Sequence, residues 1–478
     1  MPKLKFDFSR VIHKTTISGF ILAFIVSFLI FETFSKKLWE TREIIISDVI
    51  SYYGYLPAAI IHNDLHLNFI YSDHKGVYWP VEAPNGGLVF KMTMGLSILY
   101  LPFFTMAHLE ALIFGYEAYG FSMPYQKWIQ LSGLFYFFFG LFYLRKTLKL
   151  FFNDITVSST LLTLLFATNL YYFVTDLSPY SHSFNFTLIA AFTYYSIKWH
   201  EDKSFKKSLI IGVIGGLIVL ARPVNILVFV FFALYDVKNF SDYKYRIKEV
   251  LIYKKQLLII ASISFLVILP QLIYWKIITD HFFYYSYTNA TLGVERFFWT
   301  NPHILEGLFS YRKGWLVYSP VMIFSLIGFI LLYKKQKKFF IPLVTLFVLF
   351  IYIIFSWWSW WYGGGYGMRP MIDIYPFLAI PFCAFVEYII TQKKIIYNAL
   401  VALTFSFCIY LNFHQTNQYR VGLLHWESMT KEAYWILFLN NQLNDSDIKA
   451  LSVGFKDPDF KKAMRGEDEY EFKPFYKK

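Results

Sequence analysis

The sequence predicts an all-α polytopic membrane protein with about eleven transmembrane helices. Three observations carry this. The 478 residues are 56% hydrophobic and only 16% charged, whereas a soluble chain carries about 25% charged residues. Apolar runs close to the about 20 residues that cross a bilayer recur along the whole length. The net charge of +13 sits in short clusters between those runs, as the positive-inside rule requires. Charge laid out in this way forms no basic face for nucleic acid. Aromatic residues make up 22% of the chain, which suits helix packing and bilayer interfaces. Cys383 and Cys408 both fall in apolar runs, so neither a disulfide framework nor a cysteine metal site is expected.

The elements follow in order. Lys3, Lys5, Arg10 and Lys14 hold the N-terminus in the cytoplasm. The first span, 15–33, reads as a retained helix rather than a signal peptide, because no small-residue cleavage site follows it. A large first extracytoplasmic segment, 34–126, comes next. Within it Val49, Tyr53, Leu56 and Ile60 recur at helical spacing and give one apolar face. An interfacial helix starting at Asp48 is expected there. Asp48 either caps that helix or carries chemistry.

The apolar run 92–114 decides the topology. Later spans are expected at 128–144, 157–174, 181–197, 208–221, 224–236, 256–275, 316–333, 339–357, 371–390 and 395–413. The basic clusters at Arg145–Lys149, Lys203–Lys207, 238–255, Lys334–Lys338 and Lys393–Lys394 all face the cytoplasm only if 92–114 does not cross. The run is therefore placed along or dipping into the outer leaflet. The transmembrane domain is 1–413, and 414–478 is an extracytoplasmic tail or small cap.

Loop charges alone fixed that topology, and it brings Asp48, Lys91, Asp176, Tyr180, His182, Arg222, Arg312, Arg369 and Asp373 to the outer face. Ionisable groups at membrane depth are costly and usually pair or serve function. Arg222-Pro223 interrupts an apolar stretch; the proline explains the break but not the arginine. Arg369-Pro370 follows Gly363-Gly364-Gly365-Tyr366-Gly367, which suits a mobile, water-facing loop close to a ligand. The tryptophans at 357, 358, 360 and 361 read as an interfacial belt. His62 and His66 have the i, i+4 spacing of zinc sites, but the glutamate of HExxH is missing. No dinucleotide-binding or phosphate-loop motif is present.

Ordered along the chain, these features form a pattern. Asp48 to Ala58 reads Asp-x-x-x-Tyr-Tyr-x-Tyr-Leu-Pro-Ala. Lys91 to Gly95 reads Lys-x-x-x-Gly and is followed by Leu101-Pro102-Phe103-Phe104. Gly120 to Gln126 reads Gly-x-x-x-Pro-Tyr-Gln, and Arg222-Pro223 and Gly367-Met368-Arg369-Pro370 come later. Over about 45–385 this resembles the GT-C fold glycosyltransferases that use lipid-linked sugars. Within them it is similar to bacterial membrane proteins grouped with the protein O-mannosyltransferases and the aminoarabinose transferase.

The resemblance implies a glycosyltransferase of the bacterial inner membrane with an extracytoplasmic active site. It would move a sugar from a polyprenyl-phosphate carrier to a glycan, lipid or protein acceptor, with inversion. Asp48 would be the catalytic base, and Arg369, Arg222 and Lys91 would bind the donor phosphate. Tyr52, Tyr53, His182, Tyr180, Arg312 and Asp373 are candidate substrate contacts. No metal ligand is assigned, and a divalent metal stays open as a cofactor. Two other readings stay open: a transporter or flippase of lipid-linked glycan, and a scaffold of an envelope complex.

Overall fold

The computed structural model describes residues 16–71, 77–289, 293–440 and 442–467. The basic N-terminal residues Lys3, Lys5, Arg10 and Lys14 lie outside this set. The chain is mostly helical (70%) with almost no strand. The only pairings between named strands among the described residues are two-residue hairpins, Val81–Glu82 with Leu88–Val89 and Thr288–Asn289 with Gly293–Val294.

Among the described residues, six helices are long and apolar enough to cross a membrane: Ile17–Thr41, Gly95–Phe114, Lys254–Thr279, Lys337–Phe355, Arg369–Thr391 and Ile395–Arg420. The chain is a multi-pass membrane protein. Five of the six coincide with expected spans, and the sixth is the run expected not to cross. Three other expected spans coincide with the helices Met123–Leu148, Ser181–Glu201 and Phe205–Ala221. Three are broken. The 316–333 span divides into Trp315–Tyr318, a 3-10 turn at Pro320–Met322 and Ile323–Lys335. The 157–174 span divides into Asp154–Phe166 and Leu170–Thr175. Between them the fully buried Asn169 donates to the Tyr366 carbonyl at 3.2 Å and accepts from the Tyr375 hydroxyl at 2.9 Å. The 224–236 span is a 3-10 turn, Pro223–Leu227, running into the short helix Val228–Leu234, because Pro223 cannot continue the preceding helix.

The bundle has two distinct ends. At one, the basic clusters meet. Arg145 donates to Ser18 Oγ at 2.8 Å, and Lys149 pairs with Asp154 at 2.6 Å. Lys203 pairs with Glu249 at 3.2 Å, and Lys338 stands 4.1 Å from the centre of the Phe151 ring. At the other end, the Leu170–Thr175 turn, the start of Ser181–Glu201, the end of Phe205–Ala221 and the Gly-rich loop converge.

The Gly95–Phe114 helix begins at this second end. Ser97 donates to the Tyr52 carbonyl and Tyr100 to the Pro179 carbonyl. It then runs antiparallel to the first half of Met123–Leu148. Tyr136 donates to the Leu99 carbonyl at 3.1 Å, and Lys127 pairs with Glu110 at 2.5 Å. Its contacts thus lead away from the Arg145–Lys149 end, although its length and composition match those of a span.

Residues 421–467 fold back over the second end through three short helices, Lys431–Leu437, Asp445–Gly454 and Phe460–Met464. Phe460 packs on Trp358 and Trp361, and Asn301 donates to the Gly466 carbonyl at 3.0 Å.

Candidate active site

Asp48 is set by the turn before it. Gln126 Oε1 accepts from the Ile44 and Ile45 amides at 2.7 and 2.9 Å, which pins the chain entering the turn. Ser47 then takes a left-handed φ of 49°, a conformation that costs a non-glycine residue energy. Asp48 becomes the first residue of the helix Asp48–Tyr53 rather than its cap. Its carboxylate turns away from the helix: Oδ2 accepts from Arg369 Nη1 at 2.9 Å. The expected alternative of a plain cap does not describe this geometry.

Helical phase separates the two tyrosines that follow. Tyr52, four residues on, shares the face of Asp48 and lines the same cavity. Burial, and then the Asp48 carboxylate, push its hydroxyl up to about 12. Tyr53 points to the other face, fully buried, donates to the Gly120 carbonyl and does not line the cavity.

Lys91 reaches the cavity through the Lys-x-x-x-Gly pattern. A Cβ on Gly95 would stand 2.4 Å from the Ala221 backbone nitrogen, so only glycine lets this helix start against the Arg222 turn. Thr93 fastens the approach by donating to the Leu220 carbonyl at 2.6 Å. Lys91 Nζ then pairs with Glu295 at 2.5 Å.

Arg222 pairs with Asp373 at 3.1 Å. Asp373 is fully buried and also accepts from Asn225 at 2.9 Å and Asn185 at 3.3 Å. His182 Nδ1 lies 2.7 Å from Asp373 and 3.4 Å from Arg222 Nη1. The carboxylate only accepts and is the nearer group, so Nδ1 donates to Asp373 and the 3.4 Å approach of Arg222 is not a hydrogen bond. Asp373 therefore holds Arg222 and His182 from behind and does not itself line the cavity.

Arg369 is delivered by the Gly-rich loop. Gly363, Gly365 and Gly367 all have positive φ, and a Cβ on Gly367 would come within 3.0 Å of Tyr318. Gly365, Tyr366 and Gly367 are buried, so the second half of the loop is packed, while Gly364 is exposed and Gly363 lines the cavity. The Tyr180 ring lies 6.0 Å from the Arg369 guanidinium and supports it outside the cavity lining. The tryptophans are not a belt: Trp360 and Trp361 are buried, and Trp357 lines the cavity.

Together Asp48, Tyr52, Lys91, His182, Arg222 and Arg369 line one cavity of about 640 Å³. Aromatic side chains, among them Trp275, Phe283, Phe297 and Trp357, form its other wall. Arg312 is not part of it. Buried, it donates to the Glu427 and Lys456 carbonyls at 3.0 and 3.4 Å and so fastens the 421–467 segment.

Two further residues bear on the site, Glu295 in its lining and Lys313 beside it. Glu295 comes from the 276–315 loop, where one acid has no distinguishing neighbour pattern. Lys313 is buried and donates to the Gly365 carbonyl. Burial, then the nearby Arg369, lower its ammonium to about 7. Its signal in the sequence was a cation placed against the positive-inside trend.

The cavity thus holds two cation–carboxylate pairs with a third behind it. Glu295 and Asp373 have side chains only 6% and 0% exposed, while Asp48 is 30% exposed. Stranding a buried charge costs about 3–5 kcal/mol, whereas an exposed pair is worth about 1 kcal/mol or less. Asp48–Arg369 is the pair that opens at least cost.

Among the described residues, no group of three or more His, Cys, Asp or Glu side chains is placed to hold a metal ion. His62 stacks on Phe69 with ring centres 3.9 Å apart, and Asp64 accepts from the His66 and Phe69 amides. No protein-family model and no curated protein matches this chain.

Proposed function

We propose that this chain is a GT-C-like integral membrane glycosyltransferase that transfers a sugar from a polyprenyl-phosphate carrier to a hydroxyl-bearing acceptor. The observation that carries the reading is the Asp48–Arg369 pair in a cavity that also holds Lys91 and Arg222 against an aromatic wall. The donor phosphate competes with Asp48 for Arg369, whose planar guanidinium suits a phosphate fork. Its arrival releases Asp48. The freed carboxylate takes the acceptor hydroxyl proton, the acceptor oxygen bonds to the anomeric carbon, and the bond from that carbon to the phosphate oxygen breaks. Arg369, with Lys91 and Arg222, stabilises the charge that grows on the leaving polyprenyl phosphate. Attack opposite the phosphate inverts the anomeric centre.

The aromatic wall suits a prenyl chain. At its rim Phe283 is 79% exposed and Trp299 49% exposed; such apolar surface fits lipid better than water. The cavity lies at the end of the bundle away from the basic clusters, which by the positive-inside rule supports a site on the outer side, as in a bacterial inner-membrane enzyme. That side supports a lipid-linked donor rather than a nucleotide sugar. The 421–467 segment would then cap the site. Sugar release from polyprenyl-phosphate donors by the purified protein tests the reading, and equal release by an Asp48→Asn variant would remove Asp48 from the chemistry.

A further inference from the structure

The Phe240–Ile252 helix is amphipathic in the inverse sense for a helix packed on protein. Its charged face is turned inward. Glu249 is buried and pairs with Lys203 at 3.2 Å. Arg246 donates to Glu249 and to the Tyr235 carbonyl, and its Nη1 lies 2.9 Å from His200 Nδ1. The apolar face is turned outward. Tyr243, Ile247, Val250 and Leu251 fall at i, i+4, i+7 and i+8, one helical stripe. Ile247 is 54% exposed and Leu251 70%.

Two features identify what covers this stripe. The helix stops at Ile252 and the candidate span Lys254–Thr279 begins two residues later, so the stripe sits where the chain enters the bilayer. Lys248, Lys254 and Lys255 are exposed beside it, while the helix's own acids are engaged, Glu249 with Lys203 and Asp242 with the Lys238 amide at 2.9 Å. An apolar stripe flanked by lysines next to a span is the pattern of an interfacial helix that binds anionic lipid. We propose that the Phe240–Ile252 helix lies in the headgroup region of the leaflet at the basic end, with Ile247, Val250 and Leu251 in the acyl boundary and the lysines on anionic headgroups. This holds whatever reaction the opposite end performs.

The test uses the full-length protein with Cys383→Ser and Cys408→Ser, both native thiols being buried. Leu251→Cys, labelled with a small polarity-sensitive fluorophore, is compared with the exposed tail position Ser452→Cys in vesicles of phosphatidylcholine and phosphatidylglycerol. The expected result is quenching of the Leu251 label by nitroxide lipid and several-fold weaker quenching by aqueous iodide than at Ser452. Lys248→Glu combined with Lys255→Glu should raise iodide access at position 251 in the mixed vesicles and leave it unchanged in phosphatidylcholine alone. Iodide quenching equal to that at Ser452 would overturn the proposal. So would cross-linking of two copies through position 251 at high lipid dilution, which would make the stripe a protein interface. Indifference to charge reversal in both vesicles would overturn the anionic-lipid assignment.

Discussion

Arg369 Nη1 donates to Asp48 Oδ2 at 2.9 Å, joining residues 321 positions apart in the chain. The second arginine of the site, Arg222, is paired with a fully buried carboxylate, Asp373. The two pairs should respond differently to truncation. Arg222→Ala strands Asp373 and is expected to cost about 3–5 kcal/mol of stability. Arg369→Ala leaves a carboxylate that water can reach and should cost about 1 kcal/mol or less. Thermal unfolding in one detergent compares them, and equal losses would contradict this division of roles.

Arg369 should also dominate donor binding. Arg369→Ala is expected to abolish binding of polyprenyl phosphate without unfolding the protein, and Arg369→Lys to restore part of it, since lysine lacks the two-pronged donor. Because Asp48 competes for the same guanidinium, Asp48→Asn should bind polyprenyl phosphate more tightly than the parent, by up to about tenfold. Titration calorimetry reads all three variants. Weaker binding in Asp48→Asn would mean that the carboxylate helps hold the donor.

Lys313 gives a pH signature. In the folded protein its ammonium titrates at about 7, against an ordinary value of 10.5. Between those two values the unfolded chain holds the proton and the folded chain sheds it, so this group makes stability rise with pH. The penalty of burying its charge is fully present below about 7 and relieved above. The melting temperature of the parent relative to Lys313→Met should therefore climb between pH 7 and 10.5. A constant difference would show that Lys313 keeps its charge on folding.

Labelling of single cysteines tests the sidedness. Glu117→Cys, beside the end of Gly95–Phe114, and Val453→Cys in the tail should react with an impermeant reagent from outside the cell. Lys206→Cys should react only after permeabilisation. All three side chains are exposed, so access and not burial decides the outcome. Labelling of the tail from the cytoplasm would turn the cavity to the wrong face.

Much of the site was legible because membrane sequences constrain charge. Asp48, Lys91, Arg222 and Arg369 each interrupt apolar or aromatic sequence, and loop charges alone put them on one side. Asp48 and Tyr52 could be assigned to one helical face by counting, and the same count excludes Tyr53. Partnerships were not legible. Nothing in the sequence joins Lys91 to Glu295 or Asp48 to Arg369, since pairing across hundreds of residues depends on how the helices pack. Arg312 and Asp373 stand out in the sequence by charge alone, yet one fastens the tail and the other holds Arg222. The glycines after Trp361 suggest mobility, whereas packing against Tyr318 explains Gly367.

The central claim is tested most directly by transfer from a polyprenyl-phosphate sugar, with the parent, Asp48→Asn and Asp48→Ala assayed side by side in the same vesicles. Loss of a general base costs about 10²–10⁴ in rate. The account predicts inverting transfer by the parent, a loss of that size in both variants, and retained binding of polyprenyl phosphate in Asp48→Asn. Full activity in Asp48→Asn would contradict the role of Asp48. A well-folded parent that binds polyprenyl phosphate yet transfers no sugar from any donor would contradict the enzyme itself and leave a carrier of lipid-linked glycan in its place.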